Sequence, residues 1–255
     1  MNLSSAIHPQ SMTNLTLQSY KVVLQNILKE AEHTYTFVFS KPLDFEWDEG
    51  TSVQLATSMY DPDNQSGVQE QMRHLSIISL PCENHTSFTT RISENPSPFK
   101  EYLANAKPGD EFSIIDPVCK MSLKRENRPV ILISAGVAIS TMRPLIKGYA
   151  LDQSNIKSLK HLNIDSSGNY VYQKEINVLE KKINGFSNHY LDNRESFYQV
   201  LKEHFDKTAI YYLTGSDQFI IAISKHLLQG GVSIDAVVLD KEEPFYRRLY
   251  DTPFL

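Results

Sequence analysis

The chain has 255 residues, of which 41% are hydrophobic and 22% are charged, an ordinary composition for a soluble globular protein of one large or two smaller domains. Its net charge of −5 and scattered Lys and Arg residues argue against nucleic acid as a partner, and its apolar runs are too short to cross a membrane. Two cysteines cannot build a disulfide scaffold or a four-cysteine iron–sulfur cluster, and the eight histidines lack metal-site spacing. We therefore expect a cytoplasmic protein without a metal site.

The first part of the chain alternates short β-like runs with turn residues. Residues 1–16 are polar and aperiodic, so we expect a mobile tail there. A helix is expected at Ser97–Leu103, because serine is a good N-cap and Pro98 suits the first helical position. The strand candidates are Val22–Leu24, Tyr35–Phe39, Ser52–Leu55, Leu75–Ile78, Ser87–Ile92 and Glu111–Ile115. This pattern predicts a small antiparallel β-barrel over residues 17–124, interrupted by one helix.

The second part, residues 125–255, alternates apolar strands with helix-like stretches and ends in a C-terminal tail. The strand candidates are Pro129–Ser134, Lys160–Ile164, Ala209–Leu213 and Ser233–Leu239. The helix candidates are Ala138–Ala150, Tyr172–Ile183, Glu195–Phe205 and Asp217–Gln229. Such alternation is typical of a doubly wound parallel sheet, which binds ligands at the C-terminal ends of its strands.

Two strand-to-helix turns of this part are candidate phosphate sites. Residues 134–141 read Ser-Ala-Gly-Val-Ala-Ile-Ser-Thr, and residues 213–217 read Leu-Thr-Gly-Ser-Asp. Small residues at such a turn allow the backbone to approach a pyrophosphate at a helix N-terminus. A tight crossing of strand and helix also requires small residues, so a purely structural reason for the 134–141 turn stays open. The presence of two such turns on one sheet favours a shared ligand crevice.

The stretch Arg73-His74-Leu75-Ser76 places a charge at the start of a strand that enters the barrel. Together with the order of the parts, it resembles the ferredoxin–NADP reductase superfamily, in which the corresponding strand reads Arg-x-Tyr-Ser. The resemblance implies that Arg73 contacts the phosphates of a flavin, that His74 and Leu75 lie against it, and that Ser76 lies beside flavin N5. Leu75 stands where the family usually has a tyrosine that stacks on the flavin ring. The alternative for Arg73 is a salt bridge to an acid across the barrel.

The loop and helix start at Asn95–Lys100 resemble the segment that holds the flavin phosphates in that family. The resemblance implies that Ser97, Phe99 and Lys100 bind the cofactor, with backbone N–H groups as donors. Lys100 has the alternative of a solvated helix lysine. Because this segment can hold two phosphates, we expect FAD and not FMN.

Val130–Leu145 resembles the strand, turn and helix that receive a nicotinamide nucleotide, and the 213–217 turn resembles a later turn of the family. Thr214 stands where many members of the family have a cysteine near the nicotinamide, so the resemblance makes Thr214, with Ser76, a catalytic candidate. The residues that the resemblance assigns to cofactor binding here are Gly136, Ala138, Ser140, Thr141, Gly215, Ser216 and Phe245. Ala135 and Ala138 replace two of the usual glycines, and their methyl groups crowd a backbone that should touch phosphate. The flavin half of the resemblance is therefore the more secure one.

Asp165 follows the strand candidate Lys160–Ile164. An acid at this place commonly accepts a hydrogen bond from a ribose 2′-OH, whereas an arginine receives a 2′-phosphate, so Asp165 favours NADH over NADPH. Asp165 has the alternative of a turn residue facing water. Ser166 and Ser167 can also bind a phosphate, and Arg194 is a candidate for this role outside the loop.

The resemblance implies a flavin-dependent NAD(P)H oxidoreductase that passes electrons to a separate acceptor. A ferric chelate, a haem protein, a flavodoxin-like or ferredoxin-like protein, or a small quinone are the acceptors that the sequence leaves open. The alternative is a flavin-binding sensor or subunit with impaired nicotinamide turnover, suggested by the substituted glycines and Thr214. No motif of a hydrolase is present in the sequence.

Overall fold

A computed structural model describes residues 18–61, 68–241 and 245 of the chain. The tail predicted at residues 1–16 and most of the C-terminal tail lie outside these residues. The described residues form two β-sheets, an antiparallel one followed along the chain by a parallel one. The fold class predicted from the sequence is thereby confirmed.

The first sheet has six strands in the order β4-β3-β6-β1-β2-β5. Its strands are β1 (Ser19–Ala31), β2 (Thr34–Ser40), β3 (Thr51–Thr57), β4 (Met72–Ser76), β5 (His85–Arg91) and β6 (Glu111–Cys119). All pairings between them are antiparallel, and the inward side chains, among them Phe37, Phe88 and Phe112, form one buried cluster. Buried and exposed residues alternate along the first part of β1, as in a strand with one face on a core.

Helix α2 (Pro98–Asn105) inserts Phe99 and Leu103 into this cluster. Its position agrees with the prediction, with Ser97 as the N-cap residue. Strand β4 lies earlier than predicted, because Ile77 and Ile78 leave the sheet to pack in the core. The short helix α1 (Val68–Gln71) was not predicted.

The second sheet is entirely parallel and has the order β11-β10-β7-β8-β9. Its strands are β7 (Arg128–Ala135), β8 (Ile156–Ile164), β9 (Phe186–Leu191), β10 (Ile210–Thr214) and β11 (Val237–Leu239). Its helices are α3 (Ile139–Leu151), α4 (Gln173–Lys182), α5 (Arg194–Glu203) and α6 (Asp217–Gln229). From central β7 the sheet is built first toward β8 and β9 on one side and then toward β10 and β11 on the other. The strand order therefore reverses between β7 and β10, and a crevice lies between their C-terminal ends.

Two predictions for this sheet were wrong. Strand β9 was missed, because it is an edge strand whose middle residues, Ser-Asn-His-Tyr, are polar or half-exposed and give no apolar run. The strand predicted at Ser233–Leu239 begins only at Val237. Ser233 is the N-cap residue of a 3₁₀ turn at Ile234–Ala236, which comes before the strand.

A cluster of ion pairs joins the two sheets. Glu83, from the loop after β4, accepts hydrogen bonds from Arg143 at 3.2 Å and from Lys147 at 2.7 Å, and both cations belong to α3. Arg143 also donates to Glu175 of α4 at 2.7 Å. We call these four residues the charged clamp. Within the described ranges, no helix is long and apolar enough to cross a membrane.

Candidate functional site

Three cations gather beside the start of α2. Arg73 lies on β4, Arg91 ends β5, and Lys100 belongs to the first turn of α2, where its Nζ donates to the Arg91 carbonyl at 2.6 Å. Burial lowers the pKa of Lys100, and the positive charges of Arg73 and Arg91 lower it further. We call these residues the basic cluster. Like charges held this close repel one another, so the arrangement favours a bound anion.

The backbone beside the basic cluster offers unused hydrogen-bonding groups. Ser97 makes no capping bond with its side chain, and its buried Oγ has no partner among the described residues. Pro98 has no N–H, and the amides of the next two residues, Phe99 and Lys100, lack a partner within the helix. The Phe99 side chain is buried in the barrel cluster, so this residue can offer only its backbone. A diphosphate fits this set of donors and cations.

A cavity of about 340 Å³ separates β4 and β5 from the turns of the parallel sheet, and we call it the central cavity. It brings together many of the predicted site residues: His74, Leu75, Ser76, Ala138, Ser140, Thr141, Gly215 and Ser216. Thr89, Thr90, Asp240 and Lys241 also line it and were not predicted as site residues. The residues of the basic cluster, Gly136, Thr214 and Phe245 are not among its lining residues.

A bridge of hydroxyl groups crosses the central cavity. The Ser76 Oγ lies 2.9 Å from the Thr141 Oγ1, and the Thr141 hydroxyl donates to the Asp240 carboxylate at 3.5 Å. Ser76 comes from the barrel, Thr141 from α3 and Asp240 from the end of β11. Asp240 therefore presents a hydrogen-bond acceptor at this cavity. Sequence reasoning missed it, although an acid directly after a buried strand of a parallel sheet marks this edge.

The turn after β7 follows the expected path from strand to helix. Gly136 has φ +57°, a conformation that suits glycine, and it begins a 3₁₀ turn before α3. Ala138 faces the central cavity, and its carbonyl accepts a hydrogen bond from the Thr214 hydroxyl at 3.0 Å. Thr214 is 1% exposed, so in this arrangement its hydroxyl ties the two turns together.

Asp165 is engaged by its own loop. Its carboxylate accepts hydrogen bonds from the backbone N and the Oγ of Ser167, at 3.0 and 2.7 Å, and lies 3.7 Å from the Arg91 guanidinium. The side chain is only 10% exposed and faces the Gly136 turn. Asp165 thus connects the parallel sheet to the basic cluster.

Phe245 packs away from the central cavity. It is 5% exposed within the apolar cluster between the parallel sheet and helices α5 and α6. The Lys241 ammonium lies 5.6 Å from the centre of its ring and 2.8 Å from an Asp217 carboxylate oxygen. A second cavity, of about 320 Å³, contains Arg194, Tyr198 and Gln218 near the ends of the same strands.

A buried polar cluster supports the C-terminal ends of β7 and β8. The His161 Nε2 lies 3.0 Å from the Ser134 Oγ, and its Nδ1 lies 2.6 Å from the Asn188 Oδ1. Burial lowers the pKa of His161 to about 4, with the charge of His189 adding to the effect and the bond to Asn188 opposing it. His161 is therefore neutral at pH 7 and acts as a structural hydrogen-bonding group.

Some known proteins resemble this chain in sequence or in fold. No family model matches the chain. A flavohemoprotein of Deinococcus radiodurans is 26% identical over 168 residues, which cover 66% of this chain and 36% of that protein. The chain thus spans about a third of the length of this relative.

Solved structures match over most of both chains. The ferredoxin–NADP⁺ reductase of Plasmodium falciparum has a TM-score of 0.73 and 16% identity, and the match covers 90% of this chain and 98% of that one. The chain has the ferredoxin–NADP reductase fold. A flavohemoglobin of Malassezia yamatoensis, solved with bound FAD and heme, has a TM-score of 0.72 and 16% identity over 87% of this chain and 59% of that one. The resemblance predicted from Arg73–Ser76 and the later turns is confirmed at the level of the fold.

Proposed function

We propose that this protein is a flavin-dependent NAD(P)H oxidoreductase that passes electrons to a separate acceptor. The observation that carries the proposal is the basic cluster at the start of α2, beside the buried, unpartnered Ser97 hydroxyl. When bound there, a flavin would supply the redox chemistry, taking a hydride equivalent from a nicotinamide and passing electrons onward singly or in pairs. The acceptors that we propose are a ferric chelate, a haem protein, a small quinone, or a flavodoxin-like or ferredoxin-like protein.

In this proposal the two parts of the chain have separate tasks. Residues 17–124 form the flavin domain, in which Arg73, Lys100 and the α2 amides hold the phosphates. Residues 125–255 form the nucleotide domain, in which the Gly136 and Gly215 turns receive NADH or NADPH. The site between them excludes water from the rings, and Ser76, Thr141 and Asp240 supply the polar groups there. The two phosphates that the α2 start can accept favour FAD over FMN.

The test begins with the absorption spectrum of the purified protein after incubation with FAD and removal of the excess. We expect flavin bands with about one FAD per chain, and heat-released cofactor should migrate with an FAD standard. NADH oxidation with a dye acceptor then tests turnover. A protein that retains no flavin after reconstitution contradicts the proposal, and a clean FMN peak contradicts the choice of cofactor.

A second candidate function is a flavin-binding sensor or subunit with little nicotinamide turnover. It is supported by the acidic surroundings of the nucleotide turns, where Asp165, Asp217 and Asp240 all lie, and by the Thr214 hydroxyl, which is used in a structural bond. Steady NADH or NADPH oxidation in the dye assay would exclude it. Flavin binding without measurable turnover would favour it over the reductase.

A further inference from the structure

A cavity outside the proposed cofactor site lies on the other side of β2 and β5 from the barrel core. It has a volume of about 550 Å³, and we call it the flank cavity. Glu30 of β1, Thr36 of β2 and Tyr172 before α4 contribute to its walls. Leu28, which also lines it, is 44% exposed, so the cavity reaches the protein surface.

A continuous chain of hydroxyl groups leads from the flank cavity to the wall of the central cavity. The Thr36 Oγ1 donates to the Glu30 Oε1 at 2.7 Å and lies 2.5 Å from the Thr89 Oγ1. The Thr89 Oγ1 in turn contacts the Tyr172 hydroxyl. Thr89 is one of the residues that line the central cavity. We call Tyr172, Thr89, Thr36 and Glu30 the hydroxyl chain.

The hydroxyl chain has one direction. Each hydroxyl has a single proton to donate, so the bond from Thr36 to Glu30 makes Thr36 an acceptor for Thr89. Thr89 is then an acceptor for Tyr172. A hydroxyl oxygen accepts two hydrogen bonds, and Tyr172 uses one of those on Thr89. The second lone pair of Thr89 accepts no hydrogen bond from the described residues, and Thr89 lines the central cavity.

Tyr172 is consistent with this direction as the donor at the start of the chain. Burial raises the pKa of its phenol well above the usual value, an effect that the bonds to the threonines only partly offset, so the phenol keeps its proton and remains a donor. Its backbone is in the left-handed region at φ +60°, where glycine or asparagine is favoured over a bulky side chain. The Arg143 guanidinium lies 5.4 Å from the centre of its ring and holds the ring in place. A tyrosine at so costly a backbone position is explained by what its side chain contacts.

We propose that the hydroxyl chain is a proton relay that connects the central cavity with solvent at Glu30, a role that rests on the proposed flavin function. A proton released in the central cavity binds the free lone pair of Thr89, the Thr89 proton passes to Thr36, and the Thr36 proton passes to the Glu30 carboxylate. Glu30 then gives a proton to water in the flank cavity, and the hydroxyls rotate back. No electron moves through the chain: the two electrons of the donor leave to the acceptor, and the accompanying proton leaves by this path.

The relay can be tested without a cofactor through the hydroxyl proton of Tyr172. In a 1:1 mixture of H₂O and D₂O, the ¹³C signal of the Tyr172 Cζ reports how fast this proton exchanges with water. In Thr36→Val we expect exchange to slow at least about tenfold, because the valine methyl group can neither donate nor accept. Glu30→Gln keeps an oxygen that accepts from Thr36 but cannot take up a proton, and we expect the same slowing.

Thr86→Val is the matched control. Thr86 is also a buried threonine of β5, but its hydroxyl donates to the Ser40 carbonyl outside the chain. It should leave Tyr172 exchange unchanged. Glu30→Gln alters only a half-buried side chain at the flank cavity and should leave the fold intact. It therefore tests the relay even if Thr36→Val is destabilised. Unchanged Tyr172 exchange in Glu30→Gln overturns the relay, whether or not the protein binds FAD.

The FAD-loaded protein provides a second readout. Rapid mixing separates flavin reduction by NADH from flavin re-oxidation by the acceptor. We expect Thr36→Val to slow re-oxidation by at least about threefold and to change its D₂O isotope effect, with the reduction phase unaffected, since only re-oxidation must release the proton. Equal slowing of both phases in Thr36→Val contradicts the relay. A protein that takes up no FAD contradicts the proposed function instead, and the Tyr172 exchange identifies which of the two has failed.

Discussion

Two regions of this molecule offer binding sites of the same kind, a helix N-terminus beside small residues, and differ in charge. At the start of α2 the side chains are cationic, with Arg73 and Arg91 close enough to Lys100 to lower its pKa further than burial alone does. At the turns that begin α3 and α6 the nearby charged groups are largely carboxylates, and Lys241 is paired with Asp217. The first region favours an anion even before one binds, whereas the second offers mainly backbone.

This difference matches what a resident cofactor and an exchanging co-substrate require. A flavin that remains bound through many turnovers benefits from charge-assisted bonds, which are roughly twice as strong as neutral ones. A nicotinamide nucleotide must dissociate after each turnover, so weak, backbone-based binding suffices for it. The comparison therefore predicts larger losses from substitutions in the basic cluster than from substitutions at the α3 turn.

The charged clamp holds these two regions together, and Glu83 is its centre. Burial alone would raise the pKa of Glu83, but Arg143, Lys147 and the Leu80 N–H outweigh burial and lower the pKa to about 2 from 4.5. A folded-state pKa below the unfolded value stabilises the fold above pH 4.5, and this contribution is lost as the pH falls toward 2. Glu83→Gln should cost roughly 2–3 kcal/mol at pH 7.

Denaturant unfolding between pH 2 and 7 measures this effect. The Glu83→Gln variant should lose less stability on acidification than the wild type. Glu111→Gln is a suitable control, because Glu111 is 63% exposed and 4.0 Å from Lys21, an ion pair worth about 0.5 kcal/mol or less. Equal losses in the two variants at pH 7 would show that the clamp adds nothing to the contact between the sheets.

Within the basic cluster, Arg73→Ala should weaken flavin binding by roughly 1.5–3 kcal/mol, the usual worth of a charge-assisted hydrogen bond. Titration of the apoprotein with FAD, followed by flavin fluorescence, gives the affinity. Arg125→Ala removes an arginine that pairs with Asp152 at 3.4 Å, and it should leave the affinity unchanged. If Arg73→Ala melts earlier but keeps full flavin affinity, Arg73 is a structural ion-pair residue and the contrast between the two regions loses its main support.

Ser97→Ala should have opposite effects on the free and the loaded protein. The Ser97 Oγ is buried and has no partner in the described part of the chain, so its removal should stabilise the apoprotein by about 1 kcal/mol. The same change should weaken FAD binding by about 1 kcal/mol, because the bound phosphates lose a donor. Thermal unfolding with and without FAD measures both. Ser93→Ala, in the same loop, removes only a hydrogen bond to the Asn95 carbonyl. It should neither stabilise the apoprotein nor weaken FAD binding. Lower stability of the apoprotein would mean that Ser97 serves the fold alone.

The two regions also differ in how far the sequence could predict them. The start of α2 was predictable, because Ser97 as N-cap and Pro98 at the first helical position follow from local helix chemistry. The cofactor roles of Ser97 and Lys100 came from the family resemblance. Arg91 joins the same cluster through strand pairing, which a single sequence does not reveal. The hydroxyl chain is another such case: Thr36 and Thr89 are 53 residues apart and face each other only because β2 and β5 pair in this register. Polar strand β9 was missed because periodicity detects buried faces and not edges.

The smallest effect that we predict is the choice between NADH and NADPH. We expect NADH to be preferred by about threefold in kcat/KM, or ~0.7 kcal/mol, since Asp165 favours a free 2′-OH but is already engaged with Ser167 and Arg91. Asp165→Asn should remove the preference, with one acceptor used throughout. Arg194→Ala is the matched test of the neighbouring cavity: it should leave NADH turnover unchanged and lower the rate with NADPH if Arg194 meets a 2′-phosphate. A tenfold preference of the wild type for NADPH would overturn the role of Asp165 and show that the nucleotide domain, despite its nearby carboxylates, also binds the 2′-phosphate.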